Sequence, residues 1–223
     1  MKKIVALLLS LACVVTLFSL VACGGSNPNG YTSVTAEEWE AAFATDSFKN
    51  IKIVSHSYNV RDGVTKPISL SMAYEIADGR MRSTRFENEV EDESFYYEGE
   101  QYGYNFNSLV NESAIRLGQD AFASFTYDAK TGLYTAEGCI EREFLTDEEG
   151  NVVTDEYGYT VPVYVFNTDP PAGRGRSRYS YGFKDGKLAY FRYSAVPDDE
   201  KNMQYSDFTF SDHGTVSFTS DAE

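Results

Sequence analysis

Only six of the twelve leucines in this 223-residue chain lie beyond residue 20. Leucine is the staple of helix–helix seams, so a body this poor in it does not build a helical bundle. The chain draws instead on 17 tyrosines and 15 phenylalanines, together with valine and isoleucine. Those side chains fit a pleated, half-buried surface. The composition predicts a mainly β (α+β) fold, in a single β-rich domain over residues 35–223.

Periodicity places the elements. Thr35-Ala36-Glu37-Glu38 reads as a capping box, and Trp39, Ala42 and Phe43 at i, i+3, i+4 give a short helix one apolar face. From Ile51 the period changes to two, marking a strand through Val60 with a bulge or face change inside it. Asp78-Gly79, between Ile68–Ile76 and Met81–Phe86, is a hairpin turn that needs positive φ at both central positions. So is Asp185-Gly186, between Tyr179/Tyr181/Phe183 and Leu188–Tyr193. Another strand pair is expected from Phe95–Tyr97 and Tyr102–Phe106 around Glu98-Gly99, with Tyr102, Tyr104 and Phe106 on one face. Ala114, Leu117, Gly118, Ala121, Phe122 and Phe125 predict a second amphipathic helix. Strands resume at Leu133-Tyr134, Val161–Val165, Phe208–Phe210 and Val216–Phe218. The expected architecture is one curved antiparallel meandering sheet of about ten strands wrapping two helices.

The early leucines belong to a separate segment. Met1-Lys2-Lys3 is basic, and Ile4–Leu20 is an apolar run broken by Ser10, Thr16 and Ser19, the pattern of a secretory signal. It falls short of the ~20 apolar residues that a membrane-spanning helix needs. Leu20-Val21-Ala22-Cys23, followed by Gly24-Gly25-Ser26, resembles a bacterial lipobox, in which the cysteine thiol receives a diacylglyceryl chain. The resemblance implies a lipoprotein signal peptide over 1–22, lipid attachment at Cys23 and a flexible tether over 23–34. The protein is then lipid-anchored at the extracytoplasmic face of the cell membrane, since two acyl chains at ~0.8 kcal/mol per buried CH₂ hold durably. With Cys13 in the signal and Cys23 lipidated, Cys139 is left alone and no intrachain disulfide is expected.

A formal net charge of −15 opposes a phosphate backbone as partner, so no nucleic acid is expected. The chain has two histidines, His56 and His213, and no G-x-S-x-G, H-E-x-x-H or P-loop. Neither catalysis nor a metal or cofactor is therefore expected. T-D-E-E-G-N-V-V at 146–153 is duplicated as T-D-E-Y-G-Y-T-V at 154–161. Counted from Asp147, Val152 falls where a calcium loop requires glycine, which leaves two successive turns in an acidic excursion. Arg174, Arg176 and Arg178 alternate and would point to one side of an extended chain. They are either an anion contact or a solvated loop paired with acidic neighbours.

Four stretches together resemble lipid-anchored proteins of Gram-positive bacteria. They are Thr35–Trp39, F-T-Y-D-A-K-T-G-L-Y at 125–134, F-K-D-G-K-L at 183–188 and F-S-D-H-G-T at 210–215. Those proteins are similar in architecture to the LolA-like lipoprotein carriers and the mycobacterial lipid-carrying lipoproteins. The resemblance implies a LolA-like open barrel and a non-enzymatic lipoprotein that binds a lipid or other apolar ligand inside its sheet. Trp39, Tyr102, Tyr104, Phe106 and Phe122 are the candidate lining. The alternative is a cell-surface module that contacts protein or glycan through exposed tyrosines and holds no internal ligand. No particular protein partner is implied.

Overall fold

The computed structural model describes residues 27–66, 70–119, 121–156, 158–169, 176–195 and 203–218. Cys23, Ile68 and Arg174 lie outside the described residues. Among the described residues the fold is mainly β: a single antiparallel sheet of 11 strands that does not close into a barrel, with three α-helices.

A capped helix, α1 (Ala36–Phe43), opens the domain. The Thr35 hydroxyl accepts from the Glu38 N–H at 3.2 Å, while the Glu38 carboxylate accepts from the Thr35 N–H at 2.8 Å. This is the reciprocal box read from the sequence, and Trp39, Ala42 and Phe43 are its buried face. Strands β1 (Ile51–Arg61), β2 (Val64–Thr65), β3 (Leu70–Ala77), β4 (Arg80–Glu87) and β5 (Val90–Glu98) follow. Helices α2 (Gly99–Val110) and α3 (Ser113–Gln119) then interrupt them. The chain finishes through β6 (Thr126–Asp128), β7 (Leu133–Phe144), β8 (Pro162–Asn167), β9 (Ser177–Lys184), β10 (Lys187–Ala195) and β11 (Met203–Ser211).

Strand order is β5-β4-β3-β1-β11-β10-β9-β7-β6, with β2 beside β1 and β8 beside β7. The last strand returns to the first, Lys52 opposite Ser211 and Val60 opposite Met203. The two edges of this path are β5 and β6, which are joined directly through α2 and α3. The connection must pass from one edge of the sheet to the other, and amphipathic helices let it do so while burying apolar side chains. Asp78-Gly79 and Asp185-Gly186 make the expected tight turns, with φ of 51° and 70° and of 51° and 71°.

Four expectations are corrected. Tyr102–Phe106 is not a strand but the middle of α2, and the described residues hold three α-helices rather than two. Gly99, at φ 56°, ends β5, and burial then follows Phe106, Leu109 and Val110 at i, i+3, i+4. The helix therefore keeps Tyr102 and Phe106 on one side and turns Tyr104 to solvent. The Ala114–Phe125 stripe is α-helical only to Gln119, and Phe122–Ser124 is one 3₁₀ turn. Strand β1 shows the expected face change without a bulge: its pairing to β11 and β3 is unbroken, and the odd-numbered side chains pass from buried at Ile51 and Ile53 to exposed at Ser57, Asn59 and Arg61. Val216 is not in a strand; Asn50 holds it instead, accepting from its N–H at 2.9 Å and donating to its carbonyl at 3.1 Å.

The stretch expected to be a tether is fixed to the sheet from Asn27 on. Asn27 Oδ1 accepts from the N–H groups of Asn29 and Tyr31 at 3.1 and 3.3 Å. The Thr32 N–H donates to the Phe183 carbonyl at 2.8 Å. The Tyr31 ring lies on Gly182, where an added Cβ would sit 2.9 Å from it, and stacks on Tyr190 at 5.8 Å.

The core is a cluster of rings around Trp39, which is fully buried. Phe43, Phe122, Phe125, Tyr134, Tyr181 and Phe183 have ring centroids between 5.0 and 5.6 Å from the indole. Aromatic pairs in such geometry contribute about 0.5–1.5 kcal/mol beyond their area burial. The polar tips are satisfied by backbone. Trp39 Nε1 donates to the Gly118 carbonyl at 2.6 Å, and the Tyr181 hydroxyl donates to the Ala114 carbonyl at 3.1 Å. The Tyr134 hydroxyl donates to the Val34 carbonyl and accepts from its N–H.

Gly118 lets α3 approach α1: a Cβ there would lie 2.2 Å from the ring of buried Phe43. Gly118→Ala is therefore expected to cost about 1–3 kcal/mol by overpacking. Denaturant unfolding checks this, and an unchanged midpoint would mean that Phe43 moves aside freely.

Candidate functional site

The structure divides the five candidate lining residues into two places. Trp39 and Phe122 are in contact, and Tyr102 stacks on Phe106 at 5.4 Å, all within or against the core under the helices. The immediate surroundings of Trp39 are filled by rings. Farther out, Tyr74, Tyr97 and Tyr102 form one half-buried margin of the core, from β3, β5 and α2. Phe122 and Tyr127 form another beside the edge strand β6. These margins are where the apolar interior meets solvent.

Tyr104 belongs elsewhere. Its ring is 43% exposed and lies 5.1 Å from that of Tyr159, itself 54% exposed. Both rings line a cleft of 280 Å³ with Asn107, Asn111, Glu112, Arg142, Asp155 and Thr160. This cleft exists because α2 meets the duplicated segment, whose two copies fold alike. In each, the aspartate N–H donates to the carbonyl four residues on, Asp147 to Asn151 at 2.9 Å and Asp155 to Tyr159 at 2.8 Å. Each aspartate Oδ1 also accepts from the N–H of that same residue, at 2.8 and 2.9 Å. Gly150 and Gly158 supply φ of 86° and 82°. Three backbone bonds then close a ring: Val153 N–H to Leu145, Val161 N–H to Val153, and Leu145 N–H to Val161. The acidic excursion is thus the expected pair of turns, drawn into a compact knob. Asn107 Nδ2 ties the knob to α2 by donating to Asp155 Oδ2 at 3.3 Å. Glu112 is exposed as a residue, yet the cleft partly desolvates its carboxyl and raises its pKa, with Arg142 opposing the shift.

Arg176 and Arg178 have different partners within the chain. Arg178 pairs with Glu137, Nε and Nη2 each 2.7 Å from Oε1, and the exposed Arg176 donates to the Thr168 carbonyl at 3.5 Å. Two open clefts of 560 and 510 Å³ flank His213 at the β9–β10 hairpin. Cys139 is a buried free thiol. Among the described residues, no group of three or more His, Cys, Asp or Glu is placed to hold a metal ion. No helix among them is long and apolar enough to cross a membrane.

Fold and site together define an open antiparallel sheet with helices joining its edges and a polar cleft on the outer side of one helix. No protein-family model matches the chain, and no curated protein matches it.

His213 provides a test of the hairpin end. Its Nε2 lies 2.9 Å from the Leu188 carbonyl, and burial holds its pKa below 6.5, with Lys187 pushing the same way. The folded state therefore binds fewer protons than the unfolded state as pH drops through that value, so stability is full above it and lost below. Tm should fall between about pH 7.5 and 5.5, and the fall should be shallower in His213→Gln. Thermal melts across that range decide it; equal slopes would contradict the assignment.

Proposed function

We propose that this chain is a non-enzymatic lipoprotein, anchored through Cys23 at the extracytoplasmic face of the membrane. Its ligand is a lipid or other apolar molecule, bound between the open sheet and the helices that join its edges. The observation that carries this reading is the half-buried aromatic margin. An unclosed sheet leaves its apolar face to be covered by α1, α2 and α3, and Tyr74, Tyr97, Tyr102 and Phe122 mark where that cover ends. Rings occupy the space beside Trp39, so an acyl chain enters by displacing rings at this margin rather than by filling a standing void. The ligand class is the one that the resemblance of the sequence to the LolA-like carriers implies, and the open sheet is compatible with it. Attachment at Cys23 rests on the lipobox pattern Leu20-Val21-Ala22-Cys23.

A second reading, a surface-contact module, is favoured by a separate observation. Tyr104 and Tyr159 are exposed side by side, although neither is needed to fill the core.

Two outcomes are expected. Cys23→Ala blocks lipid labelling in cells and leaves a longer precursor; normal labelling of that variant would refute the anchor. The chain from Gly24 onward binds a fluorescent fatty-acid analogue saturably, and Tyr102→Ala or Phe122→Ala shifts the affinity at least about threefold, the scale of a lost partial ring contact. Absence of saturable binding to fatty acids and phospholipids would remove the carrier reading.

A further inference from the structure

We infer that the cleft between α2 and the second duplicated turn binds a neutral, hydroxyl-rich oligosaccharide. The inference is independent of the apolar-ligand reading and gives the surface-contact reading a place and a ligand class.

Three features of the cleft select that class. The first is the pair of exposed tyrosines at its rim, rings 5.1 Å apart and tilted by 49°. Tyrosine offers a flat apolar face at low entropic cost, the surface on which the C–H face of a sugar ring stacks. The second is the lining. Asn107, Asn111 and Thr160 supply amide and hydroxyl groups that both donate and accept, which suits hydroxyls. An acyl chain would instead leave these groups unpaired, at a cost that opposes binding. The third is charge. Arg142 stands with Glu112 and Asp155 in the same cleft, so one guanidinium faces two carboxylates and an anionic ligand gains nothing. A volume of 280 Å³ lies just below the ~300–1,000 Å³ typical of drug-sized ligand sites, which fits one or two sugar units.

The scaffold is preorganised. Asp155 caps its own turn, the three-bond backbone ring closes the knob, and Asn107 fastens it to α2. Affinity is then not spent on ordering a loop. The duplication itself singles out the second turn, because Asn151 stands in the first copy where Tyr159 stands in the second. The fold of the turn is therefore compatible with asparagine, and the tyrosine is surplus to it.

The test uses the full chain in a detergent without a sugar headgroup, titrated calorimetrically with cellotetraose, maltotetraose and chitotetraose. Saturable binding to at least one is expected, weakened about tenfold by Tyr104→Ala and by Tyr159→Asn. Tyr159→Asn copies the residue of the first turn, so its fold is retained, as circular dichroism will show. Tyr193→Ala, which alters an exposed tyrosine on β10, should leave binding unchanged. No saturable binding to any of the three sugars would overturn the inference, as would equal binding by the wild type and both cleft variants. Fatty-acid binding is read separately, so either activity can fail without the other.

Discussion

The Trp39 indole joins parts of the chain that are distant in sequence. It sits on α1, touches Phe122 and Phe125 beyond α3, Tyr134 on β7 and Tyr181 and Phe183 on β9, and donates to the Gly118 carbonyl. A leucine-poor body has few other ways to fill the space between helices and sheet. Rings supply large apolar area, and their polar edges oblige the backbone to come to them. Val34, Ala114 and Gly118 each give a backbone group to a buried ring of this cluster. The positions of the N-terminal segment and of α3 follow from those bonds.

The same geometry separates two surfaces. Beneath the helices the rings cluster around Trp39 and become half-exposed at the margins of the sheet. On the far side of α2 the duplicated turns build a polar cleft that meets the core only through Tyr164, which lines the cleft and packs against the buried cluster. One helix thus faces apolar chemistry with Tyr102 and Phe106 and polar chemistry with Tyr104 and Asn107. The segment from Asn27 is docked on the same sheet. It lies against the β9–β10 end of the sheet, through the Phe183 carbonyl and Gly182.

Local chemistry made much of this legible in the sequence. The Thr35 capping box, the Asp-Gly turns and the alternation of Tyr179, Tyr181 and Phe183 are short-range signals, and each corresponds to an observed element. α2 was obscured because Tyr102, Tyr104 and Phe106 happen to alternate. The competing signal lay farther on, in Leu109 and Val110, which complete a helical stripe with Phe106. The polar cleft was not legible. Tyr104 and Tyr159 meet only because the knob folds back onto α2, and no spacing in the sequence encodes that contact. The duplication was visible as a pair of turns, but its closure by three backbone bonds involves no side chain and leaves no pattern.

Trp39 is the only tryptophan, so its fluorescence reports on the helix-covered face alone. Titration with a brominated fatty acid, which quenches indole emission at short range, asks directly whether an acyl chain reaches that face. If an acyl chain binds between sheet and helices, quenching is saturable and an unbrominated fatty acid competes it away. Binding of the fatty acid with Trp39 emission unchanged, or no binding at all, would contradict the carrier reading.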